Sequence, residues 1–270
     1  MTTTPSAIPS GYWQDLATTD FARLDPDRSI ALLPVSATEQ HGAHLPLGTD
    51  AMINEGVVRA LLAEPPADCT VLVLPALTVG DSLEHTAFAG TLSASLDALL
   101  GLWLDIGRGV ARSGLRKLVI FNTHGGQRPH VDLAAIRLRA ELGMLVVRAN
   151  SGNLGKPEGL FTDTERAHGL HGGTIETSLM MHLRPDLVRQ AELADFKSTG
   201  ERLSAANELL GVEKPVGFGW MAGDLNANGP TGNAALASAD KGAALLTHLA
   251  ARLALLCAET ARMRWPLTTT

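Results

Sequence analysis

The chain has 270 residues, is 45% hydrophobic and carries a formal net charge of −6. That composition can bury a sizeable core, and it argues against a nucleic-acid partner, which usually meets a basic face. The two cysteines, Cys69 and Cys257, stand far apart in no metal-type spacing. A disulfide framework is therefore not expected, and a reducing cytoplasm is the expected location. The opening "MTTTPSAIPSGYW" has neither a basic n-region nor an apolar h-region, so it does not read as a secretory signal. No consecutive apolar run of about 18 residues is present to span a bilayer.

In chain order, the first apolar run is "IALLPV" (30–35), followed at once by "TEQHGAHLPLGTD" (38–50) and a helical stretch over 54–64. A second run, "VLVLPAL" (71–77), leads to "GDSLEHTAFAGTLS" (80–93). Leu96, Leu99, Leu100, Trp103, Ile106 and Val110 then make one apolar helical stripe. The cations Arg108, Arg112, Arg116 and Lys117 read as the cationic end of that helix. "KLVIFN" (117–122) runs into "NTHGGQ", and a helix is predicted over 129–142, with Pro129 suited to a first helical position. "MLVVRAN" (144–150) is the fourth strand. Residues 151–170 and 196–235 read as long loops, and Leu245, Leu249, Leu253 and Leu256 as a last helix. Nearly continuous short runs suit strands covered on both faces. Their alternation with helices predicts a single α/β domain over 1–270, a three-layer sandwich around a mainly parallel sheet.

In open parallel sheets, ligands bind outside the carboxyl ends of the strands. Glu39, His41 and Asp50 follow the first strand, His85 the second and His124 the third, while His171 and Glu176 lie beyond the fourth. Carboxylate and imidazole donors without cysteine suit zinc, manganese or iron. Asp50 is also placed to cap the following helix, and His85 reads equally as a satisfied loop histidine. His44, His130, His182 and His248 read as structural. Glu176 sits in the first turn of a helix that Thr174 would cap, where the dipole favours an acid. It also heads the apolar stripe of Leu179, Met180 and Leu183, where an unpaired carboxylate is costly, so the ligand reading is preferred.

"TEQHGAHLPLGTD", "EHTAFAGTLS", "NTHGGQ" and "HGGTIETSLMMHLRPDLV", in that order, resemble the creatininase (creatinine amidohydrolase) family over roughly residues 30–190. "GPTGNAALASADKG" resembles the entry to its closing helix. The resemblance implies an α/β sandwich holding two divalent ions, with Glu39 and His124 on one, His41 on the other and Asp50 bridging. It implies a proton-handling role for His171 and a hexameric homo-oligomer. Gly126 stands where creatininase itself has a glutamate ligand, so Glu176 is expected to supply the missing carboxylate. Residues 151–170 also lack the tryptophans that close the creatininase site. Gly125 and Gly126, just before a helix, are candidates to orient a substrate carbonyl or anion through their N–H groups.

The expectation is a hydrolase of non-peptide C–N bonds acting on a small cyclic amide or formamide, with His171 protonating the departing nitrogen. The alternatives are a peptidase trimming a short precursor peptide, as in the mycofactocin pathway, a sugar-ring hydrolase, and a metal-stabilised binding protein without catalysis. No nucleic-acid or membrane partner is expected.

Overall fold

A computed structural model describes residues 8–266. Five strands form one sheet: β1 (Gly11–Tyr12), β2 (Ser29–Val35), β3 (Thr70–Val73), β4 (Lys117–Asn122) and β5 (Leu145–Asn150). Their order is β1-β3-β2-β4-β5, and every pairing is parallel. The central β2 and β4 are buried along their whole length, which is why their hydrophobic runs are unbroken rather than alternating.

Helices cover both faces. α1 (Thr49–Ala63) joins β2 to β3, α2 (Leu96–Arg112) joins β3 to β4, and α3 (Arg128–Leu142) joins β4 to β5. Four shorter helices follow, α4 (Asp163–His168), α5 (Thr174–Leu183), α6 (Thr199–Ala206) and α7 (Ala222–Leu225), and the long α8 (Ala239–Arg262) ends the fold. Ile30 and Leu32 of β2 pack with residues of α1, α5 and α8, including Val57, Met180 and Leu249. Their alternating neighbours Ala31, Leu33 and Val35 pack with Trp103, Val131 and Leu138 of α2 and α3. The result is the expected three-layer α/β/α arrangement. A small antiparallel pair, β6 (Asp195–Phe196) and β7 (Gly232–Asn233), lies within the long loop region.

The chain leaves β2 for β3 on one side and returns to β4 on the other. The crevice opened by that reversal lies at the carboxyl ends of β2 and β4, where parallel sheets bind ligands.

Several details depart from expectation. α1 begins at Thr49, two residues before the start near Ala51 that a cap at Asp50 would give, and its N-cap is Gly48. Asp50 is thus inside the first turn, and its carboxylate caps nothing. Thr174 is not the cap of α5; Gly173 is, and the Thr174 hydroxyl instead donates to the Asn233 carbonyl at 2.6 Å. The cationic run is a helix end only in part: Arg112 lies in the last turn of α2, whereas Arg108 and Lys117 are held elsewhere. Arg108 pairs with Glu141 across to α3, and Lys117 is buried on β4, donating to the carbonyls of Asp27 (2.6 Å) and Ala261 (2.7 Å). α8 is long and apolar enough to cross a bilayer by length and composition, yet its Leu245, Leu249, Leu253 and Cys257 are buried in the core.

Candidate metal centre

Six chemistry-bearing side chains meet at the carboxyl edge of the sheet. Glu39 and His41 come from the loop after β2, Asp50 from the first turn of α1, and His124 from two residues past β4. His171 comes from the turn before α5, and Glu176 from that helix's first turn. Glu39, His41, Asp50 and His124 are each no more than 3% exposed. His124 Nδ1 lies 3.2 Å from Glu39 Oε1 and 3.4 Å from Asp50 Oδ2. His41 Nε2 lies 3.4 Å from Asp50 Oδ1 and 3.8 Å from Glu176 Oε2.

The two 3.4 Å contacts of Asp50 are long for hydrogen bonds. They match two donors on one ion: bonds of about 2.0–2.2 Å in a tetrahedron put donors about 3.3–3.6 Å apart. Glu39, Asp50 and His124 form one group able to hold an ion, and His41, Asp50 and Glu176 form a second. Asp50 belongs to both, turning one oxygen toward each histidine.

Two further observations test the fit. Both Glu39 carboxylate oxygens, His41 Nε2 and Asp50 Oδ2 are buried without any hydrogen-bond partner, an arrangement that normally carries a large penalty. The imidazole tautomers also fit. His41 Nδ1 meets the Glu39 carbonyl at 3.0 Å, and His124 Nε2 meets the Asp81 carbonyl at 2.7 Å. A carbonyl only accepts, so both contacting nitrogens carry hydrogen, and the opposite nitrogens, which face the carboxylates, are the ones that would offer lone pairs to an ion once the rings are neutral. Histidines that bind metals are oriented in this way.

The electrostatics point the same way. Burial alone would lower His41, but Asp50, Glu176 and Glu39 outweigh it and carry the imidazole up to about 9. His124 is likewise raised against its burial by Glu39 and Asp50. Asp50 is held well below the usual carboxylate range by the two imidazoles, despite burial that would raise it. Burial raises Glu176 to about 7, with the Asp50 and Glu39 charges adding to the effect. In metal-free protein, protons on the histidines therefore supply the positive charge that divalent ions would bring.

His171 Nδ1 lies 3.6 Å from Glu39 Oε1, and Glu39, His41 and His171 form a third group able to hold an ion. His85 stacks on His171 with centroids 4.2 Å apart. Gly125 and Gly126 lie exposed beside His124, and α3 begins two residues later, at Arg128. A Cβ at Gly126 would overlap Glu84 Oε1 and crowd His124 Nε2. Glu84, which the sequence did not single out, thus fills the space beside this glycine. Also unforeseen were Asp81, which accepts from His124 through its carbonyl and from His130 through its carboxylate (3.0 Å), and Glu165. The buried Glu165 carboxylate accepts from the N–H groups of Ile175 and Asn233 and fixes the start of α5. Gln127 ties the loop after β4 to Asn122 Oδ1 at 2.8 Å.

His44, as expected, is structural: its Nε2 contacts the Gly172 carbonyl and the Thr177 hydroxyl, and its ring stacks on Phe196. His130 faces Asp81, and His248 Nε2 contacts the Leu154 carbonyl at 3.2 Å.

The chain is 34% identical to the mycofactocin precursor peptide peptidase of Mycobacterium ulcerans over 201 residues, 73% of each chain. It is 33% identical to the creatinine amidohydrolase of Pseudomonas putida over 195 residues, 64% of this chain and 72% of that one. Among solved structures, it superposes on a mutant creatininase of Zn–Zn type with a TM-score of 0.73 at 27% identity, covering 95% of this chain and all of that one. A manganese creatininase superposes with a TM-score of 0.72 at 25% identity, covering 94% of this chain and all of that one. The creatininase family, described as creatinine amidohydrolase, matches residues 14–257. With the fold and the clustered acids and histidines, this match shows that the chain belongs to the creatininase family of metal-dependent hydrolases.

Proposed function

We propose that the protein is a dinuclear amidohydrolase that cleaves the C–N bond of a small non-peptide amide, such as a cyclic amide or formamide. The observation that carries this reading is the pair of three-residue groups sharing Asp50, each with one histidine lone pair and two carboxylates. Glu39, Asp50 and His124 would hold one ion, and His41, Asp50 and Glu176 the other. Divalent ions there would polarise an amide carbonyl and make a shared water nucleophilic near neutral pH.

The protein's own groups handle the rest. His171 carries hydrogen on Nε2, which meets the Gln40 carbonyl at 2.5 Å, and turns the Nδ1 lone pair to the site. It is placed to accept a proton from the attacking water and return it to the departing nitrogen. Burial, with His41 and His85 beside it, holds His171 well below its ordinary value, so it rests neutral. The walls around Glu39, His41 and His124 exclude bulk water and so strengthen each charge interaction inside. The same reading takes the protein to be cytoplasmic and homo-oligomeric.

A second reading is removal of residues from a short precursor peptide. It is supported by the similarity to mycofactocin precursor peptide peptidases. A turnover screen of cyclic ureides, lactams, formamides and short peptides with Mn²⁺, Zn²⁺ or Fe²⁺ decides between them. Hydrolysis confined to small amides or formamides is the expected result; hydrolysis confined to peptides would replace it with the second reading.

A further inference from the structure

Gln40 stands between Glu39 and His41, is 5% exposed, and turns its amide away from both. Its side-chain nitrogen meets His85 Nδ1 at 2.8 Å, and its Oε1 accepts the Gly42 N–H at 2.9 Å. The second bond fixes the first: a backbone N–H only donates, so the amide oxygen faces Gly42 and the NH₂ faces His85. An NH₂ also only donates. His85 therefore has its lone pair on Nδ1 and its hydrogen on Nε2, the atom nearest the centre at 3.5 Å from Glu39 Oε1. The carbonyl of the same Gln40 sets His171 the other way, with hydrogen on Nε2 and the lone pair on Nδ1 facing Glu39.

The two rings are stacked, and His171 also packs on His41 with centroids 4.1 Å apart. With all four imidazoles around the centre neutral, His41, His124 and His171 turn lone pairs inward, and His85 alone turns an N–H inward. The Gln40 amide is pinned as well. Gly229 has a φ of +96°, and a Cβ there would overlap the Gln40 side-chain amide. The Gln40 backbone N–H donates to the Thr91 hydroxyl at 3.1 Å.

We propose that Gln40 is a positioning residue that sets His85 and His171 in opposite hydrogen-bonding senses. His85 Nε2–H then serves as a donor to the substrate oxygen as it gains negative charge, while His171 Nδ1 serves as the proton acceptor. This rests on the hydrolysis proposed above. Water oxygen bonds to the carbonyl carbon as one water proton passes to His171 Nδ1. The C–N bond then breaks, nitrogen keeping the bonding pair and taking that proton, so His171 ends neutral. A donor aimed where charge develops is worth most in a dry site, and it works only if the hydrogen is on the correct nitrogen.

The test is long-range ¹⁵N–¹H NMR of the histidine side chains, with and without Zn²⁺, in wild type, Gln40→Glu and Gln40→Met. Wild type should show both His85 and His171 with hydrogen on Nε2. In Gln40→Glu the carboxylate can only accept, so hydrogen should appear on His85 Nδ1. His171 should be unchanged, because its partner is a backbone carbonyl. Metal content should hold, and kcat should fall about 10–100-fold, as for removal of an outer-shell partner. In a His85→Ala background the same substitution should cost less than about two-fold, since the two act as one unit. A His85 pattern unmoved in both Gln40 variants, or losses that multiply, would overturn the proposal. The NMR comparison needs no turnover, so it stands even if the hydrolytic reading fails.

Discussion

Glu176→Gln separates a metal-binding carboxylate from one that merely suits a helix N-terminus. Glu176 Oε2 accepts the Gly172 N–H at 2.6 Å and lies 3.8 Å from His41 Nε2. Glutamine keeps the length and an oxygen able to accept from Gly172. Burial raises Glu176, which favours its protonated form in the metal-free wild type, a state glutamine resembles. The stability of metal-free protein should therefore move by no more than the value of an acid at a helix start, about 0.3–1 kcal/mol. The loaded protein should behave differently. One of three donor groups loses its charge, and affinity for one ion should fall about 100-fold or more, about 2.7 kcal/mol at 1.36 kcal/mol per decade. Metal analysis after gel filtration should show about one ion lost per chain, and thermal melts in EDTA should match wild type. Retention of both ions with near-normal turnover would refute the ligand role.

Metal uptake should depend on pH in a defined direction. His41, raised to about 9, is protonated at pH 7.5 in metal-free protein, and an ion needs its Nε2 lone pair. Binding should thus release protons, and affinity should rise with pH and level off above about 9; competition titrations from pH 6 to 9 that show no trend would contradict this. His171→Asn should keep both ions and fold normally while losing about 10²–10⁴-fold in kcat. A missing ion in that mutant would move His171 into the ligand set with Glu39 and His41. Creatinine should be a poor substrate, because Gly126 replaces a carboxylate and the 151–170 loop has no tryptophan; turnover at an ordinary rate of about 1–1000 per second would contradict this.

The four main strands were legible because burial on both faces leaves unbroken hydrophobic runs, and parallel strands deliver their following loops to one edge. That placement alone brought Glu39, His41, Asp50 and His124 together on paper. Details with distant causes were not legible. Lys117 looked like a helix-end cation, but its ammonium is satisfied by carbonyls 90 and 144 residues away. Thr174 had the chemistry of a cap, yet the turn at Gly172–Gly173 puts Gly173 in that place. Asp50 likewise had the chemistry of a cap, yet α1 already starts at Thr49, and both residues are buried. Gln40 and Glu84 lay inside the quoted motifs, but the Gln40 role depends on a histidine 45 residues away, and that of Glu84 on the space left by Gly126.

The central claim is that Asp50 joins two ion sites, with Oδ1 at 3.4 Å from His41 Nε2 and Oδ2 at 3.4 Å from His124 Nδ1. The direct measurement is the number of divalent ions per chain in wild type and Asp50→Ala after reconstitution and removal of free metal. About two ions in wild type and loss of both in Asp50→Ala are predicted. One ion or none in wild type, or an Asp50→Ala protein that keeps its full metal content, would contradict the account.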